Sequence, residues 1–189
     1  MTVQHIWDII KIDYPEVGET MVLALINNAQ DTFADETECM RTSADLTLTT
    51  AITYDLPTDF DKLKKIVIAD SDEVEVLGMA YSLDPAARTI TFTDTEDVDA
   101  TVLNSDIARI TLDYIAKPEQ LTNLNQTPGI DSRFHMALVL LVKLVLSGDM
   151  AKFNRANALY QTLRLAAKRF GNSNSDRAAT TIRQEDQRV

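Results

Sequence analysis

The sequence of 189 residues has little of what disulfide-rich, fibrous or low-complexity proteins require. It contains one cysteine, Cys39, which cannot form an internal disulfide, and only 5 glycines and 5 prolines. No apolar run approaches the roughly 18 residues of a membrane helix, because Lys143 interrupts the longest candidate, residues 136–146. The N-terminus lacks the basic and apolar segments of a secretion signal. We therefore expect a protein that is cytosolic where it is made, with one domain or one domain plus a smaller appendage.

Motifs for familiar chemistry are also missing. There is no glycine-rich phosphate loop and no CxxC, HExxH or GxSxG. His5 and His135 have no motif partner, so we expect both to be structural, and Cys39 to pack as a small apolar group. Carboxylates cluster at residues 59–61, 70–75 and 94–99, but the last two lack the glycine and glutamate offsets of a calcium loop. The sequence thus predicts no enzyme, no catalytic residue, no cofactor and no metal, with a two-metal nuclease as the weakest alternative.

Charge is distributed unevenly along the chain. The 18 basic and 29 acidic side chains give a net charge of −11, which argues against a general DNA-binding surface. Residues 1–130 carry 8 basic and 24 acidic side chains (8 − 24 = −16), whereas residues 131–189 carry 10 and 5 (10 − 5 = +5). The split indicates two faces with different partners, or one face that meets its opposite on a neighbouring copy. Charge scattered over a solvated surface is the simpler reading.

Apolar periodicity predicts helices at both ends of the chain. The spacing indicates a short helix over residues 3–12 and an amphipathic helix over 19–38. A mostly apolar helix follows over 132–147, with Asp131 or Ser132 as its N-cap, Gly148 as its stop and Asp149 as the next cap. The following helix completes an αα-hairpin and ends near Gly171. We expect the polar residues 171–189 to be disordered until a partner orders them.

Between the helices the period changes to two. Alternating apolar residues predict strands over 46–54, 63–69, 74–76, 81–83, 89–93 and 110–116, with a hairpin around Asp84-Pro85. Strands in succession without helices indicate an antiparallel sheet with one wet face. The predicted fold class is α+β, a small helical bundle with a C-terminal αα-hairpin and an antiparallel β-sheet insertion. The predicted parts are the N-terminal helices in 1–44, the insertion in 45–118, the hairpin in 119–170 and the tail in 171–189.

Several sequence segments resemble those of a known protein family. The segments ITYDLPTDFDKL (residues 52–63), YIAKP (114–118) with Leu121-Thr122 after it, and PGIDSRF (128–134), together with the Gly148-Asp149 turn, are similar in order and spacing to tailed-phage head-to-tail connector proteins of the adaptor type. The resemblance covers most of residues 19–170. The leading helix lies outside it and the β region is larger than in purely helical adaptors, so another ring of the neck is an alternative.

The resemblance implies a structural virion protein at the head-tail interface. Identical subunits, usually dodecameric, would form a ring below the portal, carry the next neck or tail component, and let DNA pass during genome ejection without binding it specifically. The C-terminal helix and tail would contact the portal. The predicted partner-contact residues are Arg155, Arg164, Lys168, Arg169, Arg177 and Arg183, which could otherwise be only a solvated helix face. The competing hypothesis is an acidic binding module, a nucleic-acid mimic that occupies a DNA-binding protein.

Overall fold

The computed structural model describes residues 1–46, 53–70, 80–93 and 107–185. In these residues four α-helices and two antiparallel sheets form the fold, which confirms the predicted α+β class. The chain divides into two compact units. The helical unit comprises Met1–Arg41 and Lys117–Val189, and the β unit comprises Thr42–Ala116.

Two helices open the helical unit, close to the predicted bounds. Helix α1 spans Val3–Lys11 and α2 spans Glu19–Thr37. Thr2 caps α1, since its side chain accepts a hydrogen bond from the His5 N–H. Helix α2 ends where Glu38 adopts a left-handed conformation with φ 52°. Both helices turn their apolar stripes into the same core.

The C-terminal part of the helical unit is the predicted hairpin. A 3₁₀ turn at Ser132–Phe134 leads into α3 (His135–Leu146), and α4 spans Met150–Glu185. Asp131 caps the 3₁₀ turn by accepting from the Arg133 N–H at 2.9 Å. Asp149 caps α4 by accepting from the Ala151 N–H at 2.8 Å. The predicted cap Asp149 is therefore confirmed for α4, whereas Asp131 caps the 3₁₀ turn and α3 itself begins after Phe134 without a side-chain cap.

Helix α4 does not end at Gly171, which corrects the sequence prediction. Its backbone continues to Glu185, while residues 186–189 lie outside the described part of the chain. A Cβ on Gly171 would lie 3.0 Å from the Glu38 carbonyl oxygen and 3.4 Å from the Cys39 Cα. Gly171 is thus a point of close approach between α4 and the end of α2, and not a helix stop. Whether a partner orders the chain beyond it stays a prediction.

Aromatic and aliphatic side chains from all four helices share one core. Phe33 of α2 lies 5.9 Å from Phe134 and 6.2 Å from Tyr160, measured between ring centroids. The buried amide of Gln30 donates to the Glu119 carbonyl at 2.7 Å, which ties α2 to the segment that returns from the β unit. This bond satisfies the amide nitrogen of Gln30, whereas its buried Oε1 has no hydrogen-bond partner among the described residues.

In the described residues, six strands form two three-stranded sheets and not one continuous sheet. The strand bounds are Arg41–Leu46 (β1), Thr53–Asp55 (β2), Phe60–Asp70 (β3), Ala80–Asp84 (β4), Thr89–Thr93 (β5) and Ile107–Ala116 (β6). The first sheet has the order β1-β6-β3 and the second β2-β5-β4. The single strand predicted over 46–54 is wrong, because Leu46 and Tyr54 belong to different sheets. Alternation marks which face a residue occupies and carries no information about the pairing partner.

Two antiparallel pairs organise these sheets. Strands β3 and β6 pair over their whole length, with register shifts typical of β-bulges, and β4 pairs with β5 across the predicted Asp84-Pro85 hairpin. Asp84 closes the turn by accepting from the N–H groups of Ala86 and Ala87, both at 3.0 Å. The strand predicted at 74–76 lies outside the described residues.

Candidate partner-contact surface

The αα-hairpin carries the candidate surface, and its first turn is fixed by an ion pair. Arg133 donates from Nε and Nη2 to the two oxygens of Asp131 at 2.9 and 2.8 Å. These bonds hold the pKa of the Asp131 carboxyl well below its usual range. The guanidinium of Arg133 also lies 4.1 Å from the Phe170 ring centroid, so the part of α4 around Phe170 is held against the start of the hairpin.

A second contact fixes α4 against α2. The Tyr160 hydroxyl donates a hydrogen bond to Oε2 of Glu36 at 2.6 Å, and Nη1 of Arg164 lies 3.3 Å from the same oxygen. Burial, together with the bond to Glu36, raises the pKa of the Tyr160 hydroxyl. The face of α4 that contains Tyr160 and Arg164 therefore points into the helical unit.

A cleft of about 350 Å³ opens at the other end of the hairpin, where α3 turns into α4. It lies within the helical unit, and we call it the basic cleft. Its lining residues are Asp13, Tyr14, Leu140, Lys143, Ser147, Lys152, Arg155, Ala156 and Leu159. Three of these are cationic and one is anionic, so the cleft has an excess of positive charge.

The single carboxylate neutralises only part of that charge. Nζ of Lys143 lies 2.6 Å from Oδ2 of Asp13, and this bond, with a further contribution from Lys152, lowers the pKa of the Asp13 carboxyl. In the part of the chain that the structure describes, Lys152 and Arg155 have no hydrogen-bond or ion-pair partner. Among the described residues, Lys152 and Arg155 are therefore cations of the basic cleft without a direct ion pair to a carboxylate.

Apolar side chains are exposed in and next to the same cleft. Leu159 in its lining is 53% exposed, and Met150, at the start of α4, is 70% exposed. Cationic and apolar groups together are typical of a surface that binds another macromolecule.

Sequence comparison identifies the class of protein that carries this surface. Residues 1–185 match the family model described as SU10 adaptor protein. The chain belongs to the SU10 adaptor protein family. The match agrees with the resemblance of the sequence to phage head-to-tail adaptors. A comparison with curated proteins found no match.

Membership of the SU10 adaptor family gives the protein a structural role as a phage adaptor and makes it a component of the virion. Family membership also implies contacts with other phage components. It favours a structural protein over an enzyme. Among the described residues no helix combines the length and the apolar character needed to cross a membrane.

The six predicted contact residues of this adaptor do not form one cluster. They span 29 residues of α4, a rise of about 42 Å at 1.5 Å per residue. Arg155 lines the basic cleft, whereas Arg164 lies nine residues further, on the opposite side of the helix, and contacts Glu36. Lys168 and Arg169 are exposed. Arg177 and Arg183 lie on the last turns of α4, where the description covers the backbone only.

Sequence reasoning missed two cations of the basic cleft. Lys143 and Lys152 join Arg155 there, although neither is among the predicted contact residues. A lone lysine in an otherwise apolar helix was the available signal. From the sequence, Lys143 indicates only that this helix does not span a membrane. Its place in a charged cleft cannot be deduced, because its partner Asp13 is 130 residues away in sequence.

Both histidines have structural partners. His135 is fully buried, with Nδ1 2.8 Å from the α-amino group of Met1 and Nε2 2.7 Å from the Ile130 carbonyl oxygen. Burial lowers the pKa of its imidazole. His5 is exposed and lies 2.7 Å from the Thr2 hydroxyl. These contacts agree with the structural roles predicted for His5 and His135.

Cys39 and Asp59, which belongs to the carboxylate cluster at residues 59–61, also have structural roles. Cys39 packs against the helical core, and burial raises the pKa of its thiol. Asp59 accepts from the Tyr114 hydroxyl at 2.9 Å, and burial with this bond raises the pKa of Tyr114 to about 12. No group of three His, Cys, Asp or Glu side chains that could hold a metal ion occurs among the described residues. The cluster at 94–99 and most of that at 70–75 lie outside them.

Proposed function

We propose that this adaptor assembles as a ring below the portal, links the portal to the next neck or tail component, and leaves a central passage for DNA. The resemblance to head-to-tail connectors implies twelve subunits. The observation that carries the portal contact is the length of α4, which has 36 residues against 12 in α3. At 1.5 Å per residue these lengths are about 54 and 18 Å.

The last part of α4 has the sequence of a partner-binding segment. The helix continues for 14 residues after Gly171, and only Ala178, Ala179 and Ile182 among them are apolar. Such a segment gains little from packing on its own chain, because burial of apolar surface is the main source of helix stability in proteins. A partner surface would supply that burial and would meet Arg177 and Arg183.

Charge supports the same arrangement. Lys168 and Arg169 are exposed cations just before this segment, so we assign portal contacts to Lys168, Arg169, Arg177 and Arg183. Arg164 is assigned to the internal contact with Glu36. The β unit carries 15 acidic and 5 basic side chains, and like charge opposes phosphate contacts. If acidic surface lines the passage, DNA would move through without being held.

Reconstitution with the portal protein of the same genome tests the proposal. The two proteins are mixed, and the product is imaged by negative-stain electron microscopy. Additional density forming a ring below the portal is the expected result. Bare portals in the presence of folded protein would overturn the proposal. Competition with DNA for a DNA-binding protein would then favour the acidic binding module.

Two variants locate the portal contact. Removal of residues 172–189 keeps Gly171 and its contact with α2, so the shortened chain is expected to fold and to lose portal binding. The double change Lys168→Gln with Arg169→Gln removes exposed charge alone and is expected to weaken binding, more so at high salt. Unchanged portal binding by the shortened chain would refute the portal contact assigned to the C-terminal part of α4, whether or not rings form.

A further inference from the structure

We propose that the basic cleft is the contact site for the acidic β unit of a second copy of the chain. The proposal rests on the proposed ring, in which every copy has an identical neighbour. In this proposal the cleft in the helical unit of one copy binds carboxylates within residues 42–116 of the neighbouring copy. A contact between two different surfaces of the same chain is heterologous, and such contacts close into rings when the rotation between copies allows it.

Charge is the first observation behind this assignment. The 15 acidic and 5 basic side chains of the β unit give a net charge of −10, whereas the helical unit has 14 and 13, a net charge of −1. The basic cleft is a local excess of positive charge in that nearly neutral unit. The basic cleft and the β unit of every copy therefore carry charge of opposite sign, which makes them complementary between copies.

The chemistry of the cleft favours carboxylates with apolar neighbours. Lys152 and Arg155 lack an internal ion-pair partner among the described residues, and Arg155 can bind both oxygens of one carboxylate. Leu140, Ala156 and Leu159 supply an apolar wall next to these cations. Contact with a second copy would remove Leu159 from water, which a small free anion would not do.

The β unit offers groups of this kind. Asp55, Asp61 and Asp84 are exposed there, and Tyr81, on the same strand as Asp84, is 48% exposed. A DNA backbone is the other anionic partner available to a phage adaptor. It is disfavoured because the net charge of −10 on each β unit repels phosphates near the assembly.

Isotope-mixed cross-linking of assembled protein tests the contact directly. Subunits labelled with ¹⁵N and unlabelled subunits are mixed, assembled on portals, treated with a carbodiimide that joins amines to carboxylates, and digested for mass spectrometry. We expect mixed-label cross-links between the Lys152 peptide and a carboxylate in residues 42–116. The 2.6 Å pair of Lys143 and Asp13 gives a same-label product and serves as the internal control of the reagent.

The outcomes separate the two proposals. Rings that form while Lys152 cross-links only within its own label, or only to the portal, would overturn the cleft assignment and leave the ring intact. Failure of the wild-type protein to form rings would overturn the ring, and the cleft contact with it. Mixed-label products from Lys152 to residues outside 42–116 would also contradict the assignment.

Charge reversal supplies an independent test. The double change Lys152→Glu with Arg155→Glu alters exposed side chains, so we expect a folded protein that binds portals in isolated copies and forms open or incomplete rings. The matched change Lys168→Glu with Arg169→Glu, on the same helix outside the cleft, is expected to reduce portal binding instead. Changing the cross-linked carboxylate to lysine should restore complete rings to the cleft variant. Complete rings from the cleft variant alone would refute the contact.

Discussion

Gly171 passes the end of α2 so closely that a Cβ at this position would lie 3.0 Å from the carbonyl oxygen of Glu38. The obstacle is backbone, since Glu38 is the left-handed residue that ends α2, and it cannot move like the end of a long side chain. Glycine in the interior of a long helix costs about 1 kcal/mol relative to alanine. Close packing of α4 against α2 requires it nonetheless.

This relationship predicts that Gly171→Ala destabilises the protein. Alanine improves helix propensity, but the contact with Glu38 must be relieved by a backbone shift, and overpacking of this kind costs about 1–3 kcal/mol. We expect a net loss of about 1 kcal/mol in the free energy of unfolding, measured by urea denaturation. Gly148→Ala, where the added Cβ meets nothing within 4 Å, is the matched control. A stabilised Gly171→Ala variant would contradict the close approach.

Local signals in the sequence predict the helices well. The stripe of Val3, Ile6 and Ile10, the acidic caps Asp131 and Asp149, and the Asp84-Pro85 turn each involve groups a few residues apart, so their physics is contained in a short window. Gly171 shows the limit. Its local context indicates a helix stop, whereas its role depends on Glu38, which is distant in sequence.

The candidate surface shows the same limit. Arg155 could be selected from the sequence because it lies on a basic helix. Arg164 has the same local context, yet it contacts Glu36 inside the helical unit. The basic cleft brings Lys143 and Lys152 to Arg155 only after α3 folds back on α4, so no spacing rule contains it. Which of two sheets receives a strand is likewise decided by pairing at long range.

The contact at Glu36 predicts a stability effect at Tyr160 larger than at Arg164. Tyr160→Phe removes a buried hydroxyl that donates to a carboxylate at 2.6 Å, a loss of about 1–2 kcal/mol. Arg164→Gln removes a partly exposed ion pair and should cost about 0.5 kcal/mol. Thermal or urea unfolding measures both changes, and Lys168→Gln is the matched exposed control.

Portal binding distinguishes the two possible roles of Arg164. If it serves the contact with Glu36, Arg164→Gln binds portals like the wild type, while Lys168→Gln binds them more weakly. The opposite ranking in portal binding, with unfolding free energies unchanged, would return Arg164 to the partner contact and would contradict the internal assignment.

The cap of the 3₁₀ turn predicts different results for two changes at Asp131. Asp131→Ala removes the acceptor for the Arg133 N–H and should cost about 1 kcal/mol. Asp131→Asn keeps that acceptor and loses the charge that binds the guanidinium, so its loss should be smaller. The lowered pKa of Asp131 makes its stabilisation fully present above the ordinary value of 3.8 and lost as pH falls further. Equal losses for both variants would contradict a role in capping.

Burial of His135 predicts a pH dependence of stability in a window just below neutrality. Its folded pKa is lowered from the ordinary value of 6.5, so the unfolded chain binds a proton there that the folded protein does not. Stability therefore falls as pH decreases from 6.5 towards the folded pKa. A proton on Nδ1 would also oppose the α-ammonium of Met1, which donates to that nitrogen at 2.8 Å. Urea unfolding between pH 7 and about pH 5 measures the slope, above the range in which Asp131 and Asp13 titrate.

Replacing the histidine tests this origin of the slope. His135→Gln should reduce the pH dependence in that window, although loss of the packed ring lowers stability at every pH. His5→Gln, an imidazole removed from an exposed position on α1, is the matched control and should retain the wild-type slope. An unchanged slope in His135→Gln would assign the dependence to other groups, and it would show that the contact between Met1 and His135 does not couple the N-terminus to pH.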